Sequence, residues 1–359
     1  MNQSRIEKIM AGMKARGLSQ ALLSDPSTLT YLTGDHFNPG ERYLALLLRE
    51  GERPALFLNR LFCAPHVEAE FIVPYDDAER GALKALPLLD RSAPLGIDKC
   101  LPAEFLLELQ ENCAAGGYVN VSPCVDRVRA VKDADEIARM EHASRLNDEV
   151  MLRIKKEVRE GVTERELSDK LDRIYRELGA QGLSFPSIVC FGANAADPHH
   201  SPDGTVLKEG DCVLFDIGGM WNDYCSDMTR TYYYKRVSDR DRAVYETVLR
   251  ANLAAEAIMK PDVRFCDLDA AARNVIEAAG YGTYFTHRLG HSIGLQCHEW
   301  GDVGPVNTDS VVPGNVFSCE PGIYLPGETG VRIEDLCLAT ETGVKILNSA
   351  PKELEIIGA

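Results

Sequence analysis

Two stretches of this chain place acidic residues inside otherwise apolar, strand-forming runs, and this pattern restricts the fold more than any other feature. The first is Val213–Tyr233, VLFDIGGMWNDYCSDMTRTYY. Its opening run, Cys212–Ile217, is apolar and β-rich with Asp216 inside it. Its return run, Tyr224–Tyr233, is rich in the Thr and Tyr that suit strands and carries Asp227. Gly218-Gly219 and Trp221-Asn222-Asp223 supply turn chemistry. A two-residue loop at Trp221-Asn222 sets Asp216 directly opposite Asp227, with Cβ atoms roughly 4.5–5.5 Å apart. Two like charges that close raise a pKa unless a cation lies between them. The second stretch repeats the device. Val316–Leu325, VFSCEPGIYL, is followed by Pro326–Gly330 and by Val331–Ala339, VRIEDLCLA. Folded about Gly327, it sets Glu320 opposite Glu334. Buried unpaired carboxylates are too costly to keep for packing alone. Between the hairpins, His287-Arg-Leu-Gly-His291-Ser-Ile-Gly-Leu-Gln-Cys-His298-Glu299 supplies imidazoles, with glycines that let backbone approach closely.

The rest of the chain is compatible with two domains. At 359 residues it exceeds one ordinary core, and 45% hydrophobic with 26% charged residues is the balance of a soluble globular protein. No apolar run reaches the roughly 18 residues that span a bilayer, and the N-terminus reads as the start of an amphipathic helix rather than a signal peptide. The 11 cysteines are odd in number, scattered and without a Cys-x-x-Cys pair, which argues against a disulfide framework or zinc ribbon and fits a reducing cytoplasm. A net charge of −16 argues against nucleic acid or an anionic membrane as partner.

Residues 1–128 alternate short apolar strands with amphipathic helices, predicting an α/β domain with a mixed sheet. Predicted helices are Arg5–Arg16, Pro26–Leu32, Ala78–Leu86 and Pro102–Cys113. Predicted strands are Gln20–Leu23, Tyr43–Arg49, Ala55–Leu58, Phe71–Val73, Pro94–Ile97 and Tyr118–Val121. The boundary is placed near Asp126–Val131, and residues 129–359 form the second domain. A long helix starts at Lys132–Glu136 and runs to about Val158. Thr163-Glu164-Arg165-Glu166 reads as a capping box opening another helix, and two more are expected at Arg240–Met259 and Cys266–Ala279.

Four carboxylates and His291 form the inventory, with His199 or His200 and His298 in addition. One divalent ion does not need four acids; two ions sharing bridging carboxylates do. Such donors suit Mn, Co, Fe or Zn, and paired ions of this kind activate a bridging water for hydrolysis. With no phosphate loop and no basic cluster, amide hydrolysis is favoured over phosphoryl transfer. A single Asp in a strand is ordinarily a bulge or an edge residue, but two opposed pairs around a glycine-flanked His favour metal. His36, His66 and His142 read as structural, and His287 is ambiguous. At most one of the adjacent His199 and His200 is catalytic. Cys225, Cys297 and Cys319 read as small buried packers. Arg230 and Arg332 read as ion-pair partners of the acids, with substrate binding by Arg332 the sharper alternative.

From about residue 130 onward the sequence resembles the pita-bread metallopeptidases, the group of methionine aminopeptidase, aminopeptidase P and prolidase. The resemblance rests on Pro198-His199, Phe215-Asp216-Ile-Gly218, Ser226-Asp227-Met-Thr-Arg-Thr231, Gly290-His291-Ser-Ile-Gly-Leu295, His298-Glu299, Glu320-Pro-Gly-Ile-Tyr324 and Arg332-Ile-Glu334-Asp335. The first half resembles the creatinase-type N-terminal domain of the proline-specific branch. The resemblance implies an α/β creatinase-like domain ahead of a pita-bread catalytic domain. It implies five metal ligands, Asp216, Asp227, His291, Glu320 and Glu334, with Asp227 and Glu334 bridging. Glu320 also shuttles a proton from the bridging water, and His199 and His298 stand near the scissile carbonyl and the leaving nitrogen. The activity implied is two-metal hydrolysis of Xaa-Pro bonds, with Mn expected and Co, Zn or Fe possible, in a cytoplasmic homodimer. Prolidases hold the free carboxylate of a dipeptide, and the stretch after His298-Glu299 contains no cation, which leans toward aminopeptidase activity on longer peptides. The rival readings are a metal-dependent hydrolase of a non-peptide C–N bond and a non-catalytic peptide-binding scaffold.

Overall fold

The structure, a computed structural model, describes residues 1–358. These divide into two compact units, one of Met1–Arg129 and one from Ala130 onward. Unit one is built on one six-stranded sheet, in the order Ile72–Tyr75, Ala55–Asn59, Ala45–Arg49, Gln20–Leu23, Pro94–Ile97, Gly117–Asn120. The sheet is mixed. Ala45–Arg49 pairs antiparallel with both of its neighbours, and the remaining pairs are parallel. Gln20–Leu23 is buried along its whole length, which is why its apolar run does not alternate. The helix Pro26–Thr33 is punctuated by sequence. Asp25 caps it by accepting from the Ser27 and Thr28 N–H groups, Pro26 opens it, and Gly34 at φ 80° closes it.

Two expectations for this unit need correction. The helix expected over Ala78–Leu86 is a 3-10 stretch, Gly81–Leu88, with Pro87 inside it. Proline lacks the N–H that an α-helix would use there. A helix, Ser122–Ala130, also covers residues that had been read as part of the boundary.

Unit two contains two main sheets. One runs Ile356–Ile357, Met228–Tyr234, Cys212–Ile217, Ile188–Phe191. The other runs Glu299–Val303, Gly290–Ser292, Val316–Cys319, Asp335–Ala339, Val344–Ile346. Cys212–Ile217 is buried on both faces. Cys212 and Leu214 join a cluster formed with the helices Asp239–Glu256 and Phe265–Ala278. Val213, Phe215 and Ile217 join another, formed with Ala134–Lys155 and Glu164–Glu177. Both of the latter helices open with full capping boxes, Asp133/Glu136 and Thr163/Glu166. Asp216 is thus an acid in a strand with no solvent face.

The second hairpin is locked to the first. Glu334 N–H donates to the Thr229 carbonyl, and Thr231 Oγ1 donates to the Arg332 carbonyl. Arg230, 1% exposed, donates to the Glu334, Ala350 and Pro351 carbonyls and to Asp335 Oδ1 at 2.7 Å. Lys352 holds the other Asp335 oxygen at 2.8 Å. Arg230 therefore braces the backbone behind the acids rather than pairing with them.

Candidate metal centre

Each hairpin breaks its ladder where an acid must turn inward. In the first, Trp221 pairs with Tyr224, so the turn is Asn222-Asp223, with φ of 44° and 73°. The expected Trp221-Asn222 loop is therefore one residue out of place. Asn and Asp tolerate left-handed φ, whereas a bulky Trp resists it. Asp216 consequently faces Thr229 rather than Asp227. Moving a turn by one residue slides the pairing by two and preserves side-chain parity, so Asp227 remains a diagonal neighbour of Asp216. Ser226 and Asp227 leave the ladder, with Ser226 Oγ donating to the Gly219 carbonyl. In the second hairpin, Cys319 pairs with Asp335 and Gly322 with Arg332. Glu320 and Glu334 lie opposite one another in the gap between these ladders, as the turn about Gly327 predicts.

Glycines permit the close approach of the backbones. A Cβ at Gly218 would lie 2.3 Å from the Ser226 carbonyl oxygen, and one at Gly290 would lie 2.0 Å from that of Ser318. Gly290 thereby brings His291 against Glu320. His291 Nε2 is 3.4 Å from Glu320 Oε1 and 3.6 Å from Asp227 Oδ2.

Three of the four carboxylates share one arrangement, in which one oxygen is held and the other is left dry. Asp216 Oδ2 accepts from Arg332 Nη2 at 2.6 Å, Glu334 Oε2 from Thr229 Oγ1 at 2.7 Å, and Asp227 Oδ2 from Cys297 Sγ at 3.4 Å. Asp216 Oδ1, Glu334 Oε1 and Asp227 Oδ1 are buried and have no hydrogen-bond partner. Burial pushes the Asp227 and Glu334 carboxyls well above the usual carboxylate range, and the neighbouring acids push them further. Burial also raises Glu320 to about 7, with Arg332 opposing and Asp216 reinforcing. Burial holds His291 down at about 3 and His287 at about 4, so both imidazoles are neutral and keep a lone pair. Three dry oxygens, a neutral imidazole and mutually repelling acids are a donor set that fits divalent cations. Asp227, His291 and Glu334 offer ligand atoms within 4.8 Å of one another.

Two family descriptions match: "Metallopeptidase family M24" over residues 138–341 and "Creatinase/Prolidase N-terminal domain" over residues 5–131. The chain belongs to metallopeptidase family M24. It is 35% identical to an uncharacterized peptidase of Staphylococcus epidermidis, over 97% of this chain and all of that one. The recombinant prolidase of Thermococcus sibiricus superposes with a TM-score of 0.94 at 33% identity, covering 99% of this chain and 100% of the other. An Xaa-Pro dipeptidase of Bacillus anthracis superposes at 0.90 with 28% identity, covering 99% of each. Membership of this metallopeptidase family implies divalent metal ions.

This M24 unit gathers the candidate residues around one cavity of about 440 Å³. Asp216, Asp227, His291, Glu320 and Glu334 line it, together with His199, His298 and Arg332. The His298 ring lies 4.1 Å from that of His291, and burial with nearby Arg288 lowers its pKa. His199 is exposed at the cavity. His200 also reaches the wall, but its Nε2 sits 2.8 Å from Glu164, a fully buried acid that also accepts from the Phe191 N–H. Of the adjacent pair, His199 is the one left uncommitted by that anchor. Arg332 is buried and committed to Asp216, Thr229 and Tyr324, which matches its reading as an ion-pair partner. His287 bridges Tyr324 OH and the Arg288 carbonyl.

Two residues escaped the sequence reading. Arg288 lines the cavity, its Nε 3.3 Å from exposed Asp302. It stands before the glycine turn, whereas a cation had been sought after His298-Glu299. Cys297, read as a buried packer, is half-buried and touches Asp227. Its position beside His298 was the available signal.

Proposed function

We propose that this M24 chain is a two-metal exopeptidase that hydrolyses the bond between an N-terminal residue and proline, with manganese as the preferred ion. The observation that carries this reading is the set of three buried carboxylate oxygens without partners, each with its sister oxygen pinned, converging on one cavity. The names of the prolidase and Xaa-Pro dipeptidase neighbours support the proline specificity.

In this reading Asp216, Asp227, His291, Glu320 and Glu334 would hold the ions, Asp227 and Glu334 serving both. Bound divalent ions supply Lewis acidity toward the scissile carbonyl and lower the pKa of an attacking water. The protein supplies the remaining groups. Glu320, 3.4 Å from His291 at the cavity, takes a proton from the attacking water and delivers it to the proline nitrogen as the C–N bond breaks. His199 and His298 face the carbonyl oxygen and the leaving nitrogen from the cavity wall. Arg332 orients Asp216 and stays out of the reaction. Arg288 is the cavity's other guanidinium, and its exposed partner Asp302 can yield to a substrate carboxylate. Arg288 therefore favours a dipeptidase over the aminopeptidase toward which the sequence leaned. A reducing cytoplasm and a homodimer complete the reading. Among the described residues no helix is long and apolar enough to cross a membrane.

The test is release of the first residue from Xaa-Pro and Xaa-Pro-Yaa peptides by chelated protein to which manganese or cobalt is restored. Cleavage of the dipeptide alone supports a dipeptidase. Cleavage of both lengths makes the protein an aminopeptidase. Absence of cleavage with metal bound retires the proline-peptidase reading in favour of other amide substrates or a binding scaffold.

A further inference from the structure

Cys297 does something no metal ligand in the proposed set does: it offers sulfur. Its Sγ lies 3.4 Å from Asp227 Oδ2, and His291 Nε2 lies 3.6 Å from the same oxygen. Zinc bonds of about 2.3 Å to sulfur and about 2.0–2.2 Å to nitrogen and oxygen, arranged tetrahedrally, give ligand–ligand edges of roughly 3.3–3.6 Å. The two measured separations are edges of that size. A third donor is close by, since ligand atoms of His291, Cys297 and His298 all lie within 4.8 Å of one another. The thiol therefore lies beside Asp227 and in one group with His291, next to the ion position that those two residues flank.

We propose that Cys297 is an additional, soft ligand of the Asp227–His291 position, recruited by zinc, cadmium or cobalt and left aside by manganese. The inference rests on the metal-centre reading above and adds to it a chemical basis for metal choice. Thiolate ligands select soft ions, whereas carboxylates and water suit manganese. With a hard ion bound, Cys297 remains a thiol donating to Asp227. With a soft ion bound, its proton leaves to solvent and sulfur enters the coordination shell. Because the soft ion uses Asp227 and His291, it competes with manganese for that position rather than occupying a separate one. Excess zinc thus becomes a trap that manganese must displace.

The experiment compares full-length wild type with Cys297→Ser after chelation and reloading with one equivalent of zinc or cobalt. X-ray absorption at the zinc edge is expected to show a sulfur neighbour at about 2.3 Å in wild type and only lighter atoms in Cys297→Ser. Cobalt is expected to give a thiolate-to-metal charge-transfer band that Cys297→Ser lacks and Cys225→Ser keeps. Cys225 is the control because its Sγ turns to the Leu295 carbonyl. Zinc affinity is expected to fall about 10–100-fold in Cys297→Ser. A wild-type zinc shell of nitrogen and oxygen alone overturns the proposal and leaves Cys297 as a hydrogen-bond donor to Asp227. That wild-type spectrum decides the matter even if Cys297→Ser fails to fold. The two readings fail separately. Manganese-supported Xaa-Pro cleavage without a zinc–sulfur shell sinks only the soft-ligand inference. A zinc–sulfur shell without Xaa-Pro cleavage sinks only the proline-peptidase assignment.

Discussion

The two hairpins of the M24 unit use one device in two electrostatic versions. Each brings at least one acid to a break in the ladder, Asp227 in the first and Glu320 with Glu334 in the second, and each holds an acid of the other. Arg332 of the second hairpin grips Asp216 of the first, and Thr229 of the first grips Glu334 of the second. The grips differ in kind. Asp216 has a buried guanidinium as neighbour, so part of its charge is balanced by protein. Glu334 has only a hydroxyl, and Asp227 only a thiol. Orientation can therefore be supplied by neutral groups, and for those two acids Arg332 offsets burial and the neighbouring charges only in part. They are the pair proposed to be shared between ions.

The largest expected effect follows from that asymmetry. Asp227→Asn and Glu334→Gln should each lower kcat at least about 1,000-fold and abolish retention of the second metal, since several kcal/mol of charge stabilisation are lost. Steady-state kinetics with metal analysis would check this, and a variant that keeps both metals and turnover breaks the comparison. Next comes the bracing. Arg230→Met should destabilise the fold by about 3–5 kcal/mol, because it strips a buried ion pair and several carbonyls of their donor, as measured by denaturant unfolding. Arg332→Lys should unfold less and instead weaken metal binding about 10–100-fold.

The chelated protein should show the same imbalance as a pH dependence. A carboxyl whose folded pKa exceeds its unfolded value favours the folded state while protonated, and that contribution is lost as pH rises through the folded value. For Glu320 the window runs from the ordinary carboxyl value of 4.5 to about 7. The metal-free protein should therefore lose on the order of 2–3 kcal/mol across it. Metal-loaded protein should lose less, and parallel melting curves at pH 5 and pH 8 would test the difference. The smallest effect sits in the turns. Asn222→Val places a β-branched residue at φ 44° and should cost about 1–2 kcal/mol. Gly327→Ala, at φ 75°, should cost about 1 kcal/mol.

The turns also show how far sequence alone reaches. The second hairpin's register was legible because Gly327, after Pro326, marks its centre between two apolar runs of nearly equal length. The first offered two adjacent turn dipeptides, and the choice depended on which residues accept positive φ. Asn222-Asp223 was the better candidate on that ground. Side-chain parity survived the error, so the shared face of Asp216 and Asp227 was still read correctly. The N-terminal strands were legible for a similar reason, because Gln20–Leu23 and Pro94–Ile97 are short apolar runs between turn signals. Arg288 and Cys297 were not. Their neighbours Asp302 and Asp227 are 14 and 70 residues away in sequence, and no local period reports contacts across such a separation. Arg230 reads from sequence as an ion-pair partner without a named acid, and it pairs with Asp335; its carbonyl acceptors on Glu334 and Ala350 were not legible, since they lie more than a hundred residues later.

That last contact ties the first hairpin to a segment far along the chain. Arg230 draws two of its acceptors from Ala350 and Pro351, and Asp335 draws a counter-charge from Lys352. Without those residues, the first hairpin carries a guanidinium that cannot be buried at low cost. The acids on its other face then lack a settled backbone to stand on. Ala350, Pro351 and Lys352, none of them a candidate ligand, therefore belong to the support on which the candidate metal centre stands.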